Sequence, residues 1–98
     1  PKTALVRRNG AEVETPVEQL QLADLVIVKP GARLPADGAV AVGRSAVNQA
    51  PVTGESDPVL KVRGDVVYAG AVNGDGTLAI EVTRVSTDST VAVTSRMP

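Results

Sequence analysis

The residues best suited to chemistry in this sequence form one short polar run, Thr53-Gly54-Glu55-Ser56, followed by Asp57 and Pro58. Glu55 follows a glycine and lies between two hydroxyl residues. A carboxylate so placed can be presented away from the body of a domain, where it can accept a proton from water as a general base. Gly54 permits close backbone approach, while Thr53 and Ser56 can hydrogen-bond the loop and fix the Glu rotamer. The other carboxylates have plainer readings. Glu12, Glu14, Glu18 and Glu81 fall on exposed or alternating positions, and Asp24, Asp37, Asp65 and Asp75 fall at turns, where such side chains bond nearby amides.

The composition narrows the chemistry further. The 98 residues contain neither Cys nor His, one aromatic residue, and 10 Lys and Arg against 11 Asp and Glu. Thiol chemistry, disulfides, Ser-His-Asp triads and metal sites built on Cys or His are thereby excluded. A balanced charge gives no field for holding a polyanion, and Tyr68 alone makes no stacking platform, so no nucleic-acid partner is expected. No apolar run approaches the roughly 20 residues that span a bilayer. The sequence starts at Pro1 without a Met, which fits a segment of something longer.

The elements that must position Glu55 read as strands. The apolar residues are mostly 18 Val and 13 Ala, small side chains that pack well on pleated sheet but limit the core, so modest stability is expected. Asn9-Gly10 between two short strand-like runs predicts a two-residue hairpin. Leu25 to Lys29, closed by Pro30-Gly31, predicts a strand buried on both faces. Ala39 to Val42, Val59 to Val62, Val66 to Ala69 and the alternating Thr77 to Thr83 predict further strands. Ser45 to Val52 reads as extended, because Pro51 disfavours helix at Ala50. Tyr68, a lone aromatic among valines, reads as core. Asn73-Gly74-Asp75-Gly76 reads as a tight turn; it has the start of a calcium loop but lacks the downstream Glu. Thr87 or Asp88 is read as the cap of a short helix. The expected fold class is all-β, a distorted jelly-roll or β-sandwich of about seven to eight short strands with at most short helical segments.

The run Val47-Asn48-Gln49-Ala50-Pro51-Val52-Thr53-Gly54-Glu55-Ser56, with Pro58-Val59 and Lys61, resembles the actuator domain of P-type ATPases, in particular the heavy-metal branch. Other pieces follow in that family's order: Val26 and Val28 before Pro30-Gly31, Pro35 with Asp37-Gly38, Gly64-Asp65, Tyr68-Ala69-Gly70, Asn73 and Gly76. Ala23 stands where a Gly before the Asp is usual, Ala71 where Thr or Ser is common, and Asp57 where an apolar residue is frequent. The resemblance implies an actuator core over residues 1–92, with 93–98 a C-terminal tail or truncated link to a transmembrane helix.

The resemblance also implies a cytosolic domain inserted between membrane helices of a cation pump in the cell membrane. There Glu55 would orient and deprotonate the water attacking an aspartyl-phosphate, while Thr53, Gly54 and Ser56 would shape the loop and contact the phosphorylation domain. The implied partners are the phosphorylation and nucleotide-binding domains, the transmembrane helices and the transported heavy-metal cation. ATP and Mg²⁺ would be bound by other domains, and this fragment would hold no cofactor or metal and hydrolyse nothing alone. Asn48-Gln49-Ala50 is similar to the zinc, cadmium and cobalt group. The competing reading is a non-catalytic β-rich binding or scaffolding module, with Glu55 on an ordinary loop.

Overall fold

The computed structural model describes residues 3–85. Among these residues nine strands lie in two antiparallel sheets, in agreement with the all-β expectation. The strands are β1 (Thr3–Arg8), β2 (Ala11–Pro16), β3 (Leu25–Val28), β4 (Asp37–Val42), β5 (Ser45–Asn48), β6 (Val59–Lys61), β7 (Val66–Val67), β8 (Val72–Asn73) and β9 (Leu78–Arg84). A turn of 3-10 helix, Val17–Gln19, follows β2, and one helical turn, α1 (Ala50–Thr53), follows β5. The larger sheet has the order β2-β1-β3-β9-β4-β7 and the smaller one β6-β5-β8. The short helix expected after Thr87 lies outside the described residues, as does the division at residue 92.

Local sequence explains most of these elements. Asn9 and Gly10 hold φ of 53° and 80°, the paired positive values of a tight hairpin turn, and β1 and β2 pair from Arg8 with Ala11 to Thr3 with Pro16. β3 sits between β1 and β9, and Val26, Ile27 and Val28 are all buried, as their continuous apolar run requires. In β9, Leu78, Ile80 and Val82 face the core and Glu81 and Thr83 face out; Ala79 is buried too. One core joins both sheets: Val6, Val26, Leu34, Val40 and Leu78 pack in a cluster that includes Val47 and Val67. Turn carboxylates act as expected at Asp24 and Asp65, which accept from the Gln21 and Val62 N–H groups at 2.9 Å each. Asp37 instead accepts from the distant Ala69 N–H at 2.8 Å.

Two expectations are corrected. The chain after Asn48 is not extended through Val52; it turns into α1, with Pro51 in the first turn, where its missing N–H would have no intrahelical partner. The Ala50 N–H donates to Asn48 Oδ1 at 2.9 Å, an Asx turn that leads the chain into α1. The turn at Gly64-Asp65 carries the chain between sheets, since β6 pairs with β5 and β7 with β4. Tyr68 is 41% exposed rather than core, because Val67 points inward at the end of β7 and the next side chain must point out.

Ala23 shows how a departure from the family pattern registers in the backbone. Its φ is 73°, in the left-handed region that glycine tolerates and alanine does not. The turn is nonetheless held, since the Ala23 N–H donates to the Val82 carbonyl and the Val82 N–H to that of Asp24, both at 2.9 Å.

Candidate functional site

Thr53, Gly54, Glu55 and Ser56 lie together at the tip of the connection between β5 and β6, all exposed. The two strands are paired from Ser45 with Lys61 to Val47 with Val59, so the excursion leaves and re-enters one short ladder. Within it α1 supplies order. The Thr53 and Val52 N–H groups donate to the Gln49 carbonyl at 2.8 and 2.9 Å, and the Gly54 N–H donates to the Ala50 carbonyl at 2.9 Å.

Gly54 ends the helical turn with φ 83° and ψ −6°, a left-handed cap that reverses the chain just before Glu55. An added Cβ would meet nothing within 4 Å, so the requirement for glycine there is conformational and not spatial. Thr53 contributes from both ends of its hydroxyl: Oγ1 donates to the Gln49 carbonyl at 3.1 Å and accepts from the Glu55 N–H at 3.2 Å. The Glu55 backbone is thereby tied to the base of α1 while its side chain faces solvent. Two ion pairs occur among the described residues, Arg7 with Glu12 and Arg8 with Asp24, and neither involves Glu55.

Near the loop lies a support that the sequence did not reveal. A Cβ at Gly70 would stand 3.8 Å from the Val52 side chain, and the Gly70 turn is itself held, its carbonyl accepting from Arg33 Nη1 at 3.0 Å and its N–H donating to the Leu34 carbonyl at 2.9 Å. Asn73, at the far end of β8, is 2% exposed. Its Nδ2 donates to the carbonyls of Val28, Lys29 and Gly76 at 3.1, 3.2 and 2.7 Å, and its Oδ1 accepts from the Gly74 N–H at 2.9 Å. An Asn-Gly-Asp-Gly string signals a turn in sequence but not which residue is buried. A groove of about 310 Å³, lined by residues that include Thr3, Leu5, Ile27 and Lys29, lies elsewhere on the larger sheet and shares no residue with the loop.

Comparison with known proteins bears on this arrangement. The P-type ATPase actuator domain family matches residues 1–97. A probable cadmium-transporting ATPase of Alkalihalophilus pseudofirmus is 47% identical over 92 residues, 94% of this chain and 13% of that protein. The copper-exporting P-type ATPase B of Archaeoglobus fulgidus is 47% identical over 89 residues, 91% of this chain and 13% of that protein. The crystal structure of a zinc-transporting PIB-type ATPase in an E2.Pi state superposes with a TM-score of 0.83 at 37% identity, over 88% of this chain and 14% of that one. The chain thus spans about an eighth of the length of the curated relatives it matches. With the fold and nearly the whole sequence in agreement, the chain belongs to the P-type ATPase actuator domain family.

Proposed function

We propose that this chain is the cytosolic actuator domain of a heavy-metal cation-transporting P-type ATPase, and that Glu55 activates the water that dephosphorylates the pump. The phosphate is carried as an aspartyl-phosphate on the phosphorylation domain of the same polypeptide. Glu55 orients the water and takes its proton as the water oxygen bonds to phosphorus. The bond from phosphorus to the aspartyl oxygen breaks, releasing inorganic phosphate and the free carboxylate. A positioned carboxylate base of this kind contributes roughly 10²–10⁴-fold. Placing the water in line accounts for further acceleration.

The observation that carries this reading is the presentation of Glu55: an exposed carboxylate, in neither ion pair, on a backbone fixed by Thr53 and the left-handed Gly54. Thr53, Gly54 and Ser56 shape the loop and meet the phosphorylation domain. Among the described residues no three His, Cys, Asp or Glu come together as a metal site. On this reading ATP and Mg²⁺ are bound by other domains of the pump. The relatives' names span cadmium and copper, and the Asn48-Gln49-Ala50 run favours a zinc, cadmium or cobalt cargo for this one.

The test is Glu55→Ala in the full-length pump. Phosphorylation by ATP should proceed, and loss of the phosphate after a chase with unlabelled ATP should slow by about 10²-fold or more. Decay at the wild-type rate would leave Glu55 without a chemical duty, as a scaffolding module requires.

A further inference from the structure

We propose that Asn73 is a positioning residue for the Glu55 loop: its buried amide clamps the segment on which α1 rests and so sets where the Glu55 carboxylate stands. The proposal rests on the assignment of Glu55 as the base. It starts from the hydrogen bonds. The Nδ2 group meets two carbonyls at the end of β3, in the larger sheet, and a third at Gly76, while Oδ1 holds Gly74. The backbone of Asn73 is engaged as well, its N–H donating to the Ala32 carbonyl at 2.8 Å and its carbonyl accepting from the Gly31 N–H at 3.0 Å. One side chain thus binds the smaller sheet to the larger one.

The path from Asn73 to the loop is short and has two arms. In register, Asn73 faces Val47 and Val72 faces Asn48, so β8 lies directly along the strand that leads into α1. Asn48 Oδ1 then accepts from the Ala50 N–H, at the first residue of α1, at 2.9 Å. The second arm runs backward along the chain to the turn at Gly70, where the Val52 side chain is the near neighbour, 3.8 Å from where a Cβ would stand. Downstream of Asn73 the packing is just as close: a Cβ at Gly74 would overlap the Ala46 carbonyl, and the Gly76 N–H donates to Ser45 Oγ at 3.0 Å. Segment 70–76 is therefore pressed along β5 and fixed at its buried end by Asn73. Loss of the amide, whose two N–H groups are shared among the three carbonyls, removes the buried bond to Val28 and releases the end of β8.

The experiment compares Asn73→Ala and the milder Asn73→Ser with Val6→Ala, a core truncation in the larger sheet outside this path, all in the full-length pump. Hydrogen exchange read by mass spectrometry compares the peptide over residues 50–56 with that over the β1–β2 hairpin. The Asn73 variants should speed exchange of the 50–56 peptide by about tenfold relative to the hairpin, as local opening does, whereas Val6→Ala should not. Phosphoenzyme formation should stay at the wild-type rate while its decay slows by about tenfold or more, a split that general destabilisation does not produce. Unchanged exchange at 50–56 in the folded Asn73→Ser protein, or equal effects in Val6→Ala, would overturn the proposal. The exchange result does not depend on what Glu55 does, so failure of the clamp and failure of the general-base assignment are told apart.

Discussion

At the scale of the residue, the site depends on how little is asked of each group. Glu55 is held through its backbone, and the Thr53 hydroxyl does this with one donated and one accepted bond. Thr53→Val keeps the branched shape and removes both bonds, so phosphoenzyme decay should slow, and Thr53→Ser should recover most of the wild-type rate. Equal rates in the two variants would show that shape alone matters. Gly54→Ala must force a φ of 83° on an alanine, at a cost of about 1 kcal/mol or a reshaped loop. Its dephosphorylation should slow, and Gly54→Asn, better suited to that region, should be less affected; an unchanged rate in Gly54→Ala would count against a fixed loop shape. Ala23 is the opposite case. Ala23→Gly should relieve the strain at φ 73° and raise the unfolding free energy by about 1 kcal/mol in denaturant titration, and a fall would contradict the assigned strain. The exposed position of Glu55 was legible because a run of turn formers without an apolar residue has nothing to bury. The double use of Thr53 was legible only as a capacity for hydrogen bonding, since its partner Gln49 sits at the foot of a helical turn that the sequence presents as extended.

At the scale of the element, the short connections decide where the tip points. The β1–β2 hairpin announces itself through Asn9-Gly10, a local rule that needs no distant partner. The α1 turn is hidden by Pro51, which disfavours helix for the residue before it yet is well tolerated in a first helical turn. Which strands are neighbours is also hidden, because β6 and β7 adjoin in sequence but belong to different sheets. Asn73 is the hardest case: its partners at Val28 and Lys29 lie 45 and 44 residues away, beyond any local pattern. At Gly74 the close approach of β5 predicts that Gly74→Ala displaces β5 or β8 and unfolds the domain at lower denaturant than Gly10→Ala, which carries only the left-handed strain of φ 80° because an added Cβ there meets nothing within 4 Å. Equal midpoints for the two variants would contradict this packing.

At the scale of the whole molecule, small side chains make one core shared by two sheets, and the larger residues within it are few. Leu34 and Leu78 are the largest fully buried side chains among the described residues. The all-β class was legible in this valine-rich composition, and family likeness was legible in the ordered motifs, because both are properties of many residues at once. The cargo is a different matter. Cadmium and copper relatives share the same 47% identity with this chain, so overall identity does not separate their ions and only the short Asn48-Gln49-Ala50 run bears on them. Exchange of this domain between two such pumps should leave the ion preference with the recipient, as measured by ion-stimulated ATP hydrolysis. A preference that moved with the domain would refute this.

The most direct measurement is single-turnover decay of the phosphoenzyme in Glu55→Gln, which keeps the size and polarity of the side chain but cannot take up a proton from water. If the carboxylate is the base, Glu55→Gln decays as slowly as Glu55→Ala, about 10²-fold or more below wild type. If Glu55→Gln decays at the wild-type rate, Glu55 contributes shape rather than proton transfer, and the assigned chemistry is wrong.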